Sequence, residues 1–200
     1  MDTFADYILG EKEISAKLEI TYYLAKKRDI FFDKSTIFKT EIARIFLNYV
    51  PLGLDKNLIL TACLLCNCKK VEISRFCKIC EEVNRYSGSN PREKESDVLE
   101  LVDQFGGMLL DRPERIGMKP DEALVLLEYR NLKDKYNRYI HSFIDFIKEL
   151  EEIHYRDNKE ITPLEELVEL YREAEDEKKF ITAVVYEFGP QIDELLEQRG

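Results

Sequence analysis

The sequence predicts an all-α protein, and three observations support that fold class. Apolar residues make up 44% and charged residues 35% of the 200 residues, which is typical of a buried core beneath a charged helical surface. Gly and Pro, the residues that most often mark tight turns, number only 8 and 6. Apolar side chains recur at helical intervals over most of the chain. We therefore expect a compact helical bundle with further helices at the C-terminus.

Apolar stripes and helix-stop residues define the helices of the first half. Residues 36–50 carry one apolar stripe and end before Pro51. Residues 54–67 are apolar on nearly every face, as expected of a central buried helix, and Asp55 can cap it. The other helices of this half are predicted over residues 11–29, 72–86 and 93–110.

The second half of the chain is also predicted to be helical. The pattern is helical from residue 121 to about 154, and one apolar face there is made by Tyr136, Ile140, Phe143, Ile147 and Leu150. Pro163 opens an acidic helix, and Gly189-Pro190 is expected to interrupt the last segment. The apolar side chains of residues 163–199 either pack onto the rest of the domain or form a partner or dimer helix.

Charge and the N-terminal residues restrict the location and the partners. The formal net charge of −10 argues against nucleic acid as the main partner, because phosphate-binding surfaces are rich in Lys and Arg. The N-terminus lacks the basic start and apolar run of a signal peptide. No stretch approaches the length of a membrane span. A cytoplasmic protein without membrane contact is expected.

Five Cys residues lie between positions 63 and 80. An odd number without a secretory signal argues against a disulfide framework. One alternative is a zinc site made by Cys66, Cys68, Cys77 and Cys80, because close pairs of thiols can hold a tetrahedral ion. The other is that Cys63 and Cys66 pack as small apolar residues on a core helix. Apart from zinc, no cofactor is expected.

Two segments carry a resemblance to a known family. Residues 60–70, LTACLLCNCKK, resemble the helix that ends in the His-Asp doublet of the HD superfamily. In this comparison Cys66 takes the His position, Asn67 the Asp position and Lys70 the position of a following Lys. Residues 101–124 are similar to the late segment of HD-GYP domains. The matching residues there are Asp103, Asp111, Arg112, Pro113, Arg115, Glu122, Ala123 and Leu124.

The resemblance implies an organisation as well as a fold. Residues 1–155 would form a degenerate HD-GYP-like helical domain, and residues 156–200 a C-terminal helical appendage. The family's metal pair needs several His and Asp ligands. Here Phe38 falls near an earlier His position, the doublet is Cys66-Asn67, and the Gly-Tyr-Pro loop is missing. Asp103 alone of the ligand set matches by position.

The resemblance therefore implies a catalytically inactive protein in a bacterial regulatory pathway. It would bind a protein partner, with a second copy of the chain as one option, or a nucleotide signal, since the family's substrate is cyclic di-GMP. Candidate contact residues are Lys70, Asp103, Asp111, Arg112 and Arg115. Each has a structural alternative: a helix end for Lys70, an ion pair for Asp103 and a turn for the other three.

Two other functions stay open. One is a divergent metal-dependent phosphohydrolase that uses Asp103 with Cys or His ligands from elsewhere. His141 and His154, which both follow the second motif, are more typical of ordinary helix residues. The other is a zinc-stabilised interaction module built on the Cys cluster.

Overall fold

The computed structural model describes residues 33–64, 66, 93–134, 137–153 and 160–199, and all regular structure within these ranges is helical. The predicted all-α fold class is confirmed. In chain order the helices are α1 (Lys34–Tyr49), α2 (Lys56–Leu64), α3 (Lys94–Leu109), α4 (Pro120–Asp134), α5 (Ile140–Glu151), α6 (Pro163–Glu173), α7 (Glu177–Ala183), a π-helical turn (Val184–Phe188) and α8 (Gly189–Arg199). In this part of the chain, no helix combines the length and the apolar character needed to cross a bilayer. The helices predicted over 11–29 and 72–86 lie outside the described residues.

Helix α1 is the centre of the bundle. Asp33 caps it, because its carboxylate accepts a hydrogen bond from the Thr36 backbone N at 2.9 Å. The predicted apolar stripe is confirmed, and Phe38 and Phe46 are fully buried. Helices α2, α3, α6, α7 and α8 all contact α1. Helices from both halves of the chain therefore pack against α1.

Helices α2 and α3 complete the inner core. Asp55 precedes α2 and accepts a hydrogen bond from the Leu58 backbone N at 3.1 Å, so the predicted cap is present. The predicted inward face of α3 is confirmed, since Val98, Leu101, Val102 and Phe105 are fully buried. These helices set the positions of Cys63 and Asp103 beside α1.

The helical pattern predicted from residue 121 to about 154 corresponds to two separate helices, α4 and α5. Asn137, which lies between them, is buried and donates a hydrogen bond from Nδ2 to the Asp97 backbone O at 2.8 Å. Its Oδ1 accepts a hydrogen bond from the Tyr139 backbone N at 3.0 Å. The Asn137 side chain thus takes the place of the backbone groups to which a continuous helix would hydrogen-bond. The apolar face of α5 (Ile140, Phe143, Ile147 and Leu150) is buried as predicted.

The C-terminal helices pack onto α1 of the same chain, which was one of the two alternatives. Lys34 Nζ donates to the backbone O atoms of Tyr171 and Ala174, both at 2.9 Å, and so satisfies carbonyl groups at the end of α6. Phe180 and Phe188 are fully buried. The domain boundary near residue 155 stays a prediction.

Gly189-Pro190 does not interrupt the last helical segment. The π-helical turn ends there, and the Gly189 backbone N donates to the Val184 backbone O. A Cβ at Gly189 would lie 2.9 Å from that same oxygen, so the close turn requires Gly. Pro190 lacks an N–H group, and the wider turn before it accommodates the missing hydrogen bond.

Candidate functional site

Asp103, which alone matches the HD ligand set by position in the sequence comparison, forms an ion pair with Lys39 between α1 and α3. Lys39 Nζ lies 2.8 Å from Asp103 Oδ1. The Lys39 side chain is 11% exposed and that of Asp103 is 29% exposed, so water screens the pair only partly. Gly106 makes room for the lysine stem, because a Cβ there would lie 2.6 Å from Lys39 Cγ. The ion pair thus depends on the local backbone of α3.

The surroundings of Lys39 keep it charged. Burial lowers its pKa, but the charge and the hydrogen bond of Asp103 more than offset that effect. The pKa of Lys39 is therefore raised above its ordinary value. At neutral pH the group beside Asp103 is an ammonium cation.

The two described thiols near this pair are neutral at physiological pH. Burial raises the pKa of Cys63 to about 12. Burial also raises the pKa of Cys66 well above its usual range. A thiolate is the form that attacks substrates or binds metals, so the surroundings of these two residues do not favour either chemistry. Cys63 is buried on α2, as the alternative of an apolar packing role predicts.

The described donors do not fit the metal pair of the HD family. Phe38 is fully buried, and its ring packs edge-on against Tyr171 at 5.9 Å. Within the described ranges, no three His, Cys, Asp or Glu side chains are grouped closely enough to hold a metal ion. Asp103, which matches a family ligand by position, instead holds the ammonium group of Lys39.

The Asp111–Arg115 turn has structural contacts at both ends. Asp111 accepts hydrogen bonds from Arg172 Nε at 2.9 Å and Nη2 at 3.1 Å, which connects the turn to α6. Its carboxylate also accepts from the Gly117 backbone N at 2.7 Å. The hydrogen bonds from Arg172 and Gly117 hold the pKa of Asp111 below its ordinary value.

The two arginines of the motif differ in what they contact. Arg115 caps the end of α3, donating to the Gly107 backbone O at 3.0 Å and the Met108 backbone O at 3.2 Å. Arg112 closes the turn through paired backbone hydrogen bonds with Arg115 and leaves its side chain exposed. The structural alternative given for this turn agrees with these contacts, and a role in partner binding stays a prediction.

Several predicted site residues lie outside the described residues: Asn67, Cys68, Lys70, Cys77, Cys80 and His154. The zinc site and the contact predicted for Lys70 therefore stay predictions. His141 is exposed on α5.

A buried charge network connects α1 to α8, and the sequence analysis did not find it. Arg44 is fully buried and donates to Glu41 Oε1 at 2.6 Å and to Asp193 Oδ1 at 3.0 Å. Tyr49 Oη donates to the same Asp193 oxygen at 3.2 Å. Burial raises the pKa of Glu41 even though Arg44 acts in the opposite direction. The available signal was the opposite charges of Glu41 and Arg44, three residues apart on one helix.

An open groove with two lobes follows α4, α5 and α6; we call it the acidic groove. The larger lobe, of about 700 Å³, has Leu124, Val125 and Ile144 among its apolar lining. The smaller lobe, of about 460 Å³, includes Ile116, Met118, Leu164 and Val168. Both lobes are lined by Lys119, Pro120 and Glu165, so the two lobes adjoin each other.

Glu151 lines the larger lobe, and the pKa of its carboxyl group is raised. Burial raises its pKa to about 7, Thr162 opposes the shift by a hydrogen bond, and Glu165 and Asp121 add to it. Its Oε1 is buried and has no hydrogen-bond partner among the described residues. Protonation of this carboxyl group therefore occurs near physiological pH.

Comparisons with known proteins add no assignment. No protein-family model, no curated protein and no solved structure matches the chain.

Proposed function

We propose that the protein is a catalytically inactive relative of HD-GYP domains that acts by binding a protein partner in a bacterial regulatory pathway. The Lys39–Asp103 ion pair is the observation that carries this proposal. A metal-dependent phosphodiesterase needs carboxylate and imidazole ligands around a cation that lowers the pKa of the attacking water. Here a fixed ammonium group holds the carboxylate of Asp103.

Electrostatics explains why this arrangement disfavours a metal. Two unit charges 4 Å apart interact by about 4 kcal/mol at the effective dielectric constant near a protein surface, and a divalent ion doubles that repulsion. A metal bound to Asp103 would approach the Lys39 ammonium group, which lies within hydrogen-bond distance of the same carboxylate. Lys39 thus supplies the positive charge that balances Asp103.

Three observations favour a protein partner over a cyclic dinucleotide. Arg115, which could have bound a phosphate, donates to the backbone at the end of α3. The net charge of −10 also opposes an anionic ligand. The acidic groove, by contrast, offers apolar surface of the kind that protein interfaces cover.

A hydrolysis assay tests the catalytic half of this proposal. The purified protein is incubated with Mn²⁺ or Fe²⁺ and either cyclic di-GMP or bis(p-nitrophenyl) phosphate. We expect no hydrolysis above the rate without protein, because the ligands that would hold the metal are replaced. Lys39→Ala should be equally inactive. Metal-dependent hydrolysis that disappears in Asp103→Asn would overturn the proposal in favour of a divergent phosphohydrolase.

A further inference from the structure

Large apolar side chains are exposed to solvent beside the acidic groove. Ile116 is 79% exposed and Val125 is 71% exposed. Tyr129, 58% exposed, follows Val125 by one helical turn and so lies on the same face of α4. Isolated exposed apolar residues need no explanation, but Ile116 lines one lobe of the acidic groove and Val125 lines the other, and both lobes have an apolar floor.

The charges around the groove indicate the kind of partner that fits it. The larger lobe is lined by Asp121, Glu128, Glu151, Glu152 and Glu165, against Lys119 and Lys148. A partner with apolar residues alone would leave this acidic rim without compensation, and an acidic partner would be repelled. Lys or Arg side chains beside an apolar stripe would complement both features.

We infer that the acidic groove binds an amphipathic helix of a partner protein, with its apolar face on the groove floor and its Lys or Arg residues against the rim. A helix laid in a groove between two helices is an established way to bury such a stripe. Ile116 lies beside one lobe and Val125 beside the other, so a helix along the groove would cover both. This inference rests on the proposed function, because it names the surface through which that function would act.

The test uses a fluorescein-labelled peptide of roughly 18 Leu and Lys residues, about five helical turns, arranged with Leu on one face. The matched control peptide has Glu in place of every Lys. Fluorescence anisotropy with the full-length protein should show saturable binding of the Leu-Lys peptide, and binding of the Leu-Glu peptide at least about tenfold weaker. Equal binding of the two peptides would overturn the inference.

Surface variants locate the binding site. Val125→Asn removes an exposed apolar group from the groove and should weaken binding of the Leu-Lys peptide about tenfold. Tyr186→Asn is the matched control, because Tyr186 is 51% exposed and does not line either lobe. Its affinity should stay within about twofold of wild type. Equal losses in both variants would show nonspecific adsorption and overturn the inference.

Two further outcomes separate this inference from competing ones. If sedimentation shows a dimer that Val125→Asn converts to a monomer, a second copy occupies the groove and the inferred partner is wrong. If the protein is inactive on phosphodiesters but ignores the Leu-Lys peptide, the groove inference fails while the proposed absence of catalysis stands. Metal-dependent hydrolysis would overturn the proposed function, whatever the peptide result.

Discussion

Replacing Arg44 with Met is expected to lower the free energy of unfolding by about 3–5 kcal/mol. The substitution keeps the volume of the side chain but leaves Glu41 and Asp193 buried without their cation. Glu41 is 1% exposed and Asp193 is 7% exposed, so water cannot replace the lost hydrogen bonds. Chemical denaturation followed by circular dichroism gives the difference. Helix α8 should be the first element affected, because Asp193 connects it to α1.

Two control variants test whether the expected loss of stability comes from the buried unpaired charges. Lys179→Met breaks an exposed ion pair with Glu175, four residues earlier, and should leave the free energy of unfolding nearly unchanged. The triple replacement of Arg44 by Met, Glu41 by Leu and Asp193 by Leu should recover much of the loss, because no unpaired charge remains. If Arg44→Met cost as little as Lys179→Met, the buried network would not stabilise the fold as described.

Glu151→Gln is expected to remove a pH dependence of stability. Glu151 has a folded-state pKa of about 7, raised by burial from an ordinary value of 4.5. Between these two values the folded protein binds more protons at this site than the unfolded chain does. The free energy of unfolding therefore falls as pH rises through this range, by about 1–2 kcal/mol after allowance for partial solvent screening. Glutamine stays neutral, so the variant should lack this fall.

The comparison at two pH values makes this test specific. At pH 8 Glu151→Gln should be about 1–2 kcal/mol more stable than wild type, and the two should become equal as the pH falls below the ordinary pKa of 4.5. The control is Glu152→Gln, its exposed neighbour, which should follow the wild-type curve. Lys119 and Lys148 line the same groove, so measurements at raised salt check that they do not cause the effect. Parallel curves for wild type and Glu151→Gln would contradict the burial of this carboxyl group.

The sequence predicted the core well where local periodicity determines it. The stripe of α1 and the inward face of α3 follow from apolar spacing alone, and both are buried as expected. The break between α4 and α5 was missed because it depends on a distant contact. Asn137 bonds to Asp97, which lies 40 positions earlier in the chain, and periodicity carries no signal for such a pair.

The candidate site also depends on contacts between residues that are distant in the sequence. An ion pair with Lys or Arg was the structural alternative predicted for Asp103. Lys39 could not be predicted as the partner, because it lies 64 positions away and meets Asp103 only where α1 packs on α3. The acidic groove was missed for a similar reason, since its lining comes from four helices, α3 to α6, and from the segments before α4 and α6. Which side chains converge is a property of packing, which the linear pattern does not contain.

The metal content of the freshly purified protein tests the central claim most directly. The protein is prepared without chelator and without a metal-affinity column, and manganese, iron and zinc are measured per chain by mass spectrometry. The account predicts no metal above trace level, because Lys39 balances the charge of Asp103. Near-stoichiometric manganese or iron would contradict it and support a phosphohydrolase. Near-stoichiometric zinc would contradict it in favour of the interaction module predicted from the Cys cluster.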